Sequence, residues 1–128
     1  MIVIVIVGVL SATALPNFLN TRSKASAGSL IGTMTGFAKE CATNAIMGDT
    51  SDLSGLPDTI TVTAEGSGTV CSTGATVKNT TAFTAGEIVG MTCGVDSSGD
   101  AQTADDTHTV CTLTVDENGG ITGAWSVG

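Results

Sequence analysis

At 128 residues the chain is long enough for one domain plus an extension and too short for two ordinary domains. Its charge is unevenly placed. Arg22, Lys24 and Lys39 are the only ionisable side chains before Glu40, so residues 1–39 carry +3, while all twelve acids and a single base, Lys78, follow and give the remainder −11. A domain that acidic repels phosphate backbones, which argues against direct nucleic-acid binding, and it suits a soluble surface outside the cell.

The first element is the uncharged apolar run from Met1 to Leu15, MIVIVIVGVLSATAL, which leads into Pro16-Asn17. In water such a surface aggregates, so it belongs in a bilayer, in a buried core or against copies of itself. Fifteen residues fall short of the roughly 20 that span about 30 Å of hydrocarbon at 1.5 Å each. A signal-peptide core has a similar length, but here the pattern continues into a second helical segment. Pro16 cannot donate to the carbonyl of Ala12 and its ring crowds that turn, while Gly8 lies two turns earlier. The stretch from Gly8 to Pro16 is therefore expected to be the weakest part of the helix, kinked or locally unwound.

From Ser23 to Met47 the apolar period is helical. Leu30, Ile31, Met34, Phe37, Ala38, Cys41 and Ala45 fall within an arc of about 120°, expected to face a sheet. Gly28, Gly32 and Gly36 lie on the opposite side at i, i+4 and i+8, each costing about 1 kcal/mol relative to alanine in a helix interior. Three such costs on one line point to close approach by other helices, a tolerated solvent face being the alternative. Gly48 supplies a left-handed stop after Met47.

Asp49 to Asp58 reads as a polar loop, with Pro57 opening the next element. Strand signals follow at Thr59–Thr63, continued at Gly68–Ser72, and more strongly at Glu87–Cys93, His108–Val115 and Ile121–Val127, with Asn118-Gly119-Gly120 as a hairpin turn. The sequence thus predicts an α+β fold in which a long N-terminal helix packs on an antiparallel sheet of about four strands. Residues 1–22 form the apolar half of the helix and 23–128 an extracytoplasmic domain.

Cys41, Cys71, Cys93 and Cys111, spaced 30, 22 and 18 apart with no CxxC pair, favour two disulfides over a metal site and hence an oxidising compartment. Of the three possible pairings, the expected one joins neighbours in chain order, Cys41 with Cys71 and Cys93 with Cys111, stapling the C-terminal region. Between the last two lies a long acidic loop. Its Asp96, Asp100, Asp105 and Asp106 are candidate oxygen ligands for calcium, but they lack the spacing of an EF-hand loop, and a solvated acidic loop is the alternative. His108, on a strand, points away from Cys111, which argues against a catalytic Cys–His pair. Asn79-Thr80-Thr81 fits an N-glycosylation acceptor, and the many Ser and Thr offer O-linked sites. The sparse aromatics, Phe18, Phe37, Phe83 and Trp125, read as packing residues. With no phosphate loop, catalytic carboxylate pair or nucleophile elbow, the sequence argues against an enzyme and implies no cofactor.

The run Ile2 to Asn20, IVIVIVGVLSATALPNFLN, resembles the N-terminal helix of bacterial type IV pilins and type II secretion pseudopilins. The likeness lies in Gly8, the small pair Ser11-Ala12, and Ala14-Leu15-Pro16 followed by polar, aromatic and polar residues. It covers about the first 25 residues; the remainder corresponds in architecture alone. The family's leader, its methylated phenylalanine and its early glutamate have no counterpart here. Aligning Gly8 and Pro16 with the family implies about six mature residues and a leader ahead of Met1, which restores a full span. The resemblance implies a structural pilin subunit, held in the inner membrane by its helix and moved by assembly machinery into a helical homopolymer on the cell surface. Adhesion, twitching motility or DNA uptake are the functions implied, and Gly8 to Pro16 is the segment implied to melt on assembly. A secretion pseudopilin is the alternative within the family. A monomeric membrane-anchored binding module is the alternative outside it.

Overall fold

The computed structural model describes residues 2–49, 51–53, 55–63, 70–71 and 74–128, with side chains described for all of these except 2, 10–20, 51–52 and 70. Helix α1 runs from Ile2 to Met47, 46 residues or about 69 Å at 1.5 Å each. Eight strands follow: β1 (Ser51–Asp52), β2 (Ile60–Thr63), β3 (Val70–Cys71), β4 (Thr76–Asn79), β5 (Thr92–Val95), β6 (Ala101–Thr103), β7 (His108–Val115) and β8 (Ile121–Val127). The main sheet is antiparallel in the order β2-β4-β7-β8, and β1–β3 and β5–β6 form two separate ribbons. The expected α+β architecture, a long helix with a four-stranded antiparallel sheet and two disulfides, is present.

The helix ends as its sequence dictates. Gly48 adopts φ +67°, its N–H donates to the carbonyl of Ala45, and the N–H of Asp49 donates to that of Asn44. This is the paired closure that satisfies the last carbonyls of a helix. Upstream, the backbone is helical through Gly8 and Pro16 without a break. The local unwinding expected there is absent from this state of the chain.

The predicted inner arc of α1 faces the core. Met34, Ala38 and Cys41 are fully buried, Ile31 is nearly so, and Leu30, Phe37 and Ala45 pack at the margin. They meet Ile60 and Val62 of β2, Val77 of β4, and Cys111, Leu113 and Val115 of β7. Strict alternation along β7 puts Thr109, Cys111, Leu113 and Val115 inward, the period-two pattern of a sheet buried on one face. A smaller cluster of Ala27, Ile88 and Ala104 extends this core toward the start of the domain.

Both disulfides pair as expected. Cys41–Cys71 ties α1 to β3 and Cys93–Cys111 ties β5 to β7. All four cysteines are buried. Closing loops of 30 and 18 residues contributes about 3 kcal/mol each in the chain-entropy account.

The strand forecast needs four corrections. Glu87–Cys93 is not a strand: residues 85–90 are turns and bends, and strand begins only at Thr92. Gly86 and Gly90 both take φ +81°, and the Ile88 carbonyl accepts from the N–H of Met91, so burial of Ile88 comes from a turn. Thr76–Asn79 forms β4, a central strand whose polar sequence TVKN hid it. The acidic loop between Cys93 and Cys111 contains the β5–β6 hairpin, with Thr92 opposite Thr103 and Val95 opposite Ala101. The polar loop after α1 holds β1, which pairs with β3. Of Gly68–Ser72 only Val70–Cys71 lies within the described residues, as β3.

Candidate self-association surfaces

The part of α1 that precedes the domain is apolar and open. Val3, Ile4, Val5 and Ile6 are 71%, 74%, 66% and 53% exposed, a contiguous apolar surface of a kind that marks contact with a membrane or another protein chain. Among the described residues no helix is long and apolar enough to cross a membrane.

Lower on α1, Gly28, Gly32 and Gly36 lie on the exposed side, as their spacing predicts. A Cβ at Gly32 or Gly36 would meet nothing within 4 Å, and one at Gly28 only the Met91 Cε at 3.8 Å. The domain itself therefore does not need these glycines for close packing. The neighbouring exposed hydroxyls bond back to their own helix, Thr33 to the Ser29 carbonyl at 3.0 Å and Thr43 to the Lys39 carbonyl at 3.0 Å. The result is a smooth face with little side-chain bulk.

The four acidic residues singled out for calcium are not gathered. Asp96 organises the β5–β6 turn, its Oδ1 accepting from the N–H groups of Ser98 and Asp100 and its Oδ2 from the Gln102 amide. Asp105 organises a different turn, accepting from the N–H groups of His108 and Thr107 at 2.7 and 2.8 Å and from the Thr107 hydroxyl at 2.9 Å, with the His108 ring at 2.8 Å. These bonds, the His108 N–H foremost, hold its carboxyl well below the usual carboxylate range. Asp100 and Asp106 are exposed, and among the described residues no three metal-ligating side chains stand together. His108 pairs with Asp105 while Cys111 is held in its disulfide, so the two do not form a catalytic pair.

Asn79 corrects another expectation. It is 1% exposed, so a sugar cannot reach it in the folded domain. Its Oδ1 accepts from the Cys111 N–H at 2.8 Å and its Nδ2 donates to the Thr81 carbonyl at 2.6 Å. The β4–β7 backbone ladder ends at Lys78 opposite Thr112, and the carboxamide supplies the next rung where the backbones part. The signal was Asn79's place two residues after Val77, on the same inward face. Nearby, Phe83 and Trp125 meet edge to face with ring centroids 6.0 Å apart, and the indole N–H donates to the Gln102 carbonyl at 3.0 Å.

Two features at opposite ends of the domain were not foreseen. Where α1 enters the domain, an open groove of about 410 Å³ has an apolar floor of Ala27, Leu30, Phe83 and Ile88, with Arg22 and Glu87 among its walls. At the far end of α1, Ile46 and Met47 are 66% and 65% exposed. Ile46 lies over Gly119 in the β7–β8 turn, which also carries Asp116 and Glu117. The turn itself is closed by Asp116, whose carboxylate accepts from the N–H groups of Asn118 and Gly120. No family model, curated protein or solved structure matches this chain.

Proposed function

We propose that the chain is a pilin-like structural subunit that polymerises through its N-terminal helix into a type IV surface filament. The observation that carries this reading is α1 itself. One continuous helix has its second half buried under the sheet by Met34, Ala38 and Cys41, while Val3 to Ile6 stand exposed ahead of the domain. Apolar side chains at those exposures require another apolar environment. Lipid provides it before assembly and sister helices provide it after. The smooth Gly28, Gly32 and Gly36 face suits close approach by neighbouring subunits. Buried disulfides suit an oxidising, extracellular setting, and the acidic domain provides a solvated outer surface.

In this reading the subunit waits in the inner membrane and the assembly machinery extracts it into a helical homopolymer. Gly8 to Pro16, helical here, opens as the subunit takes its place in the filament, because Pro16 leaves the Ala12 carbonyl without its usual donor. Attachment, motility or DNA uptake then belong to the filament. The test is electron microscopy of filaments sheared from the cell surface, with this chain identified in them by mass spectrometry and antibody labelling. Extracellular filaments built from the chain are expected. A chain retained in the envelope in short rods would replace this reading with a secretion pseudopilin, and a stable monomer in detergent with an anchored binding module.

A further inference from the structure

The two unforeseen features match each other in shape class and in charge. The groove where α1 enters the domain is apolar at its floor and has Arg22 and Glu87 in its walls, with Lys24 exposed two residues on from Arg22. Neither base forms an ion pair among the described residues. Some 24 residues further along the helix, about 36 Å at 1.5 Å each, the opposite end presents Ile46 and Met47, with Ile46 over Gly119 of the turn in which Glu117 is exposed. One end is an apolar hollow whose rim carries Arg22 and Lys24 against the single acid Glu87, the other an apolar knob with an acidic rim, and a single chain carries both.

We infer that the occupant of the groove is a second copy of this chain, its Met47 end seated on Ala27, Leu30 and Phe83 with Glu117 beside Arg22. This contact rests on the filament reading and specifies a contact between the domains within it. The two patches are different surfaces of one molecule, so the contact is head to tail, and a head-to-tail contact that does not close on itself propagates into an open filament. Charge fixes its direction. Like ends are disfavoured, since in a head-to-head pair Arg22 and Lys24 meet their own counterparts with one Glu87 from each copy to offset them, and in a tail-to-tail pair the acids meet theirs. The apolar helices ahead of the domains supply adhesion without register, and this contact supplies polarity.

The test uses the full chain in detergent micelles, with association followed by sedimentation velocity, and four proteins: the parent, Arg22→Glu, Glu117→Arg and the variant carrying both. Both positions are exposed and neither side chain is hydrogen-bonded among the described residues, so unchanged Trp125 fluorescence serves as the folding control. Each single reversal is expected to weaken association about tenfold or more and the double to recover most of it. Raising the salt to about 1 M, where the Debye length is about 3 Å, is expected to narrow the differences. Assembly indifferent to both single changes, or a double variant no better than the singles, overturns the contact and leaves the filament reading standing. A parent that never associates overturns both.

Discussion

Replacing Asn79 with alanine tests how far one buried carboxamide holds the centre of the sheet. The substitution removes the acceptor of the Cys111 N–H and the donor to the Thr81 carbonyl, bonds of 2.8 and 2.6 Å at a side chain that is 1% exposed. Cys111 is fully buried, so its N–H finds no water in exchange. An orphaned buried donor costs about 1–3 kcal/mol, and loss of the second bond about 1 kcal/mol more. The expected loss is thus about 2–4 kcal/mol of the 5–15 kcal/mol typical of a domain. Urea unfolding with the disulfides intact, followed by Trp125 fluorescence in mild detergent, measures it.

Asn79→Asp sharpens the same test through pH. It keeps an acceptor for Cys111 but buries a carboxyl beside the Thr81 carbonyl, which raises that group's folded pKa above its unfolded value near 3.9. Below about pH 3.9 the acid is protonated in both states and can donate to Thr81. As pH rises, the unfolded chain ionises first, and stability falls by about 1.4 kcal/mol per pH unit until the folded pKa is passed. An Asn79→Ala loss under about 0.5 kcal/mol, or an Asn79→Asp profile parallel to the parent's, would refute the assignment of Asn79 as the extra rung.

Three further outcomes follow from packing and charge. Gly123→Ala places a Cβ 2.7 Å from the Gly94 Cα and 3.0 Å from the Cys93 carbonyl oxygen; because the obstruction is backbone of β5 and not a movable side chain, a loss of about 1–3 kcal/mol is expected in thermal unfolding, whereas Gly32→Ala, which meets nothing, is expected to leave stability unchanged or raise it. Asp105→Asn removes a carboxylate whose folded pKa is depressed, so the stabilisation it supplies is present above about pH 3.9 and lost as pH falls through the folded pKa; melting temperatures of parent and variant are expected to converge on acidification. Because all four cysteines are buried, reduction is expected to be slow without denaturant and to lower the stability of the domain by about 3 kcal/mol per bridge, read by thiol labelling alongside urea unfolding.

The helix and the last hairpin were legible because their periods are long and clean. Leu30 to Ala45 repeat at helical spacing, and Cys111, Leu113 and Val115 alternate over a full strand with Asn118-Gly119-Gly120 to turn it. β4 escaped because the β-branched pair Thr76-Val77 is too short a signal to stand out before Lys78 and Asn79; the paired strands β2 and β7 make it a strand. Glu87–Cys93 misled for the opposite reason, since Ile88 and Val89 carry the signal while Gly86 and Gly90 break the backbone around them. The disulfide pairing followed chain order, but the roles of Asp96, Asp105 and Asn79 did not, because each depends on which backbone N–H the fold brings to a short side chain. The groove at Arg22 was invisible for the same reason: its floor joins residues more than fifty positions apart.

The Cys41–Cys71 bridge also decides what happens when the molecule is pulled. Tension arriving along α1 from its N-terminus meets a covalent tie at Cys41 before it reaches the loop that follows the helix. The 30-residue separation behind that bridge hides about 100 Å of contour, and the 18 behind Cys93–Cys111 about 60 Å more. With both bridges closed, a sheet that comes apart releases only the chain outside the two loops. Drawn out in an optical trap, the oxidised chain should stop short of the reduced one by the sum of those two hidden lengths.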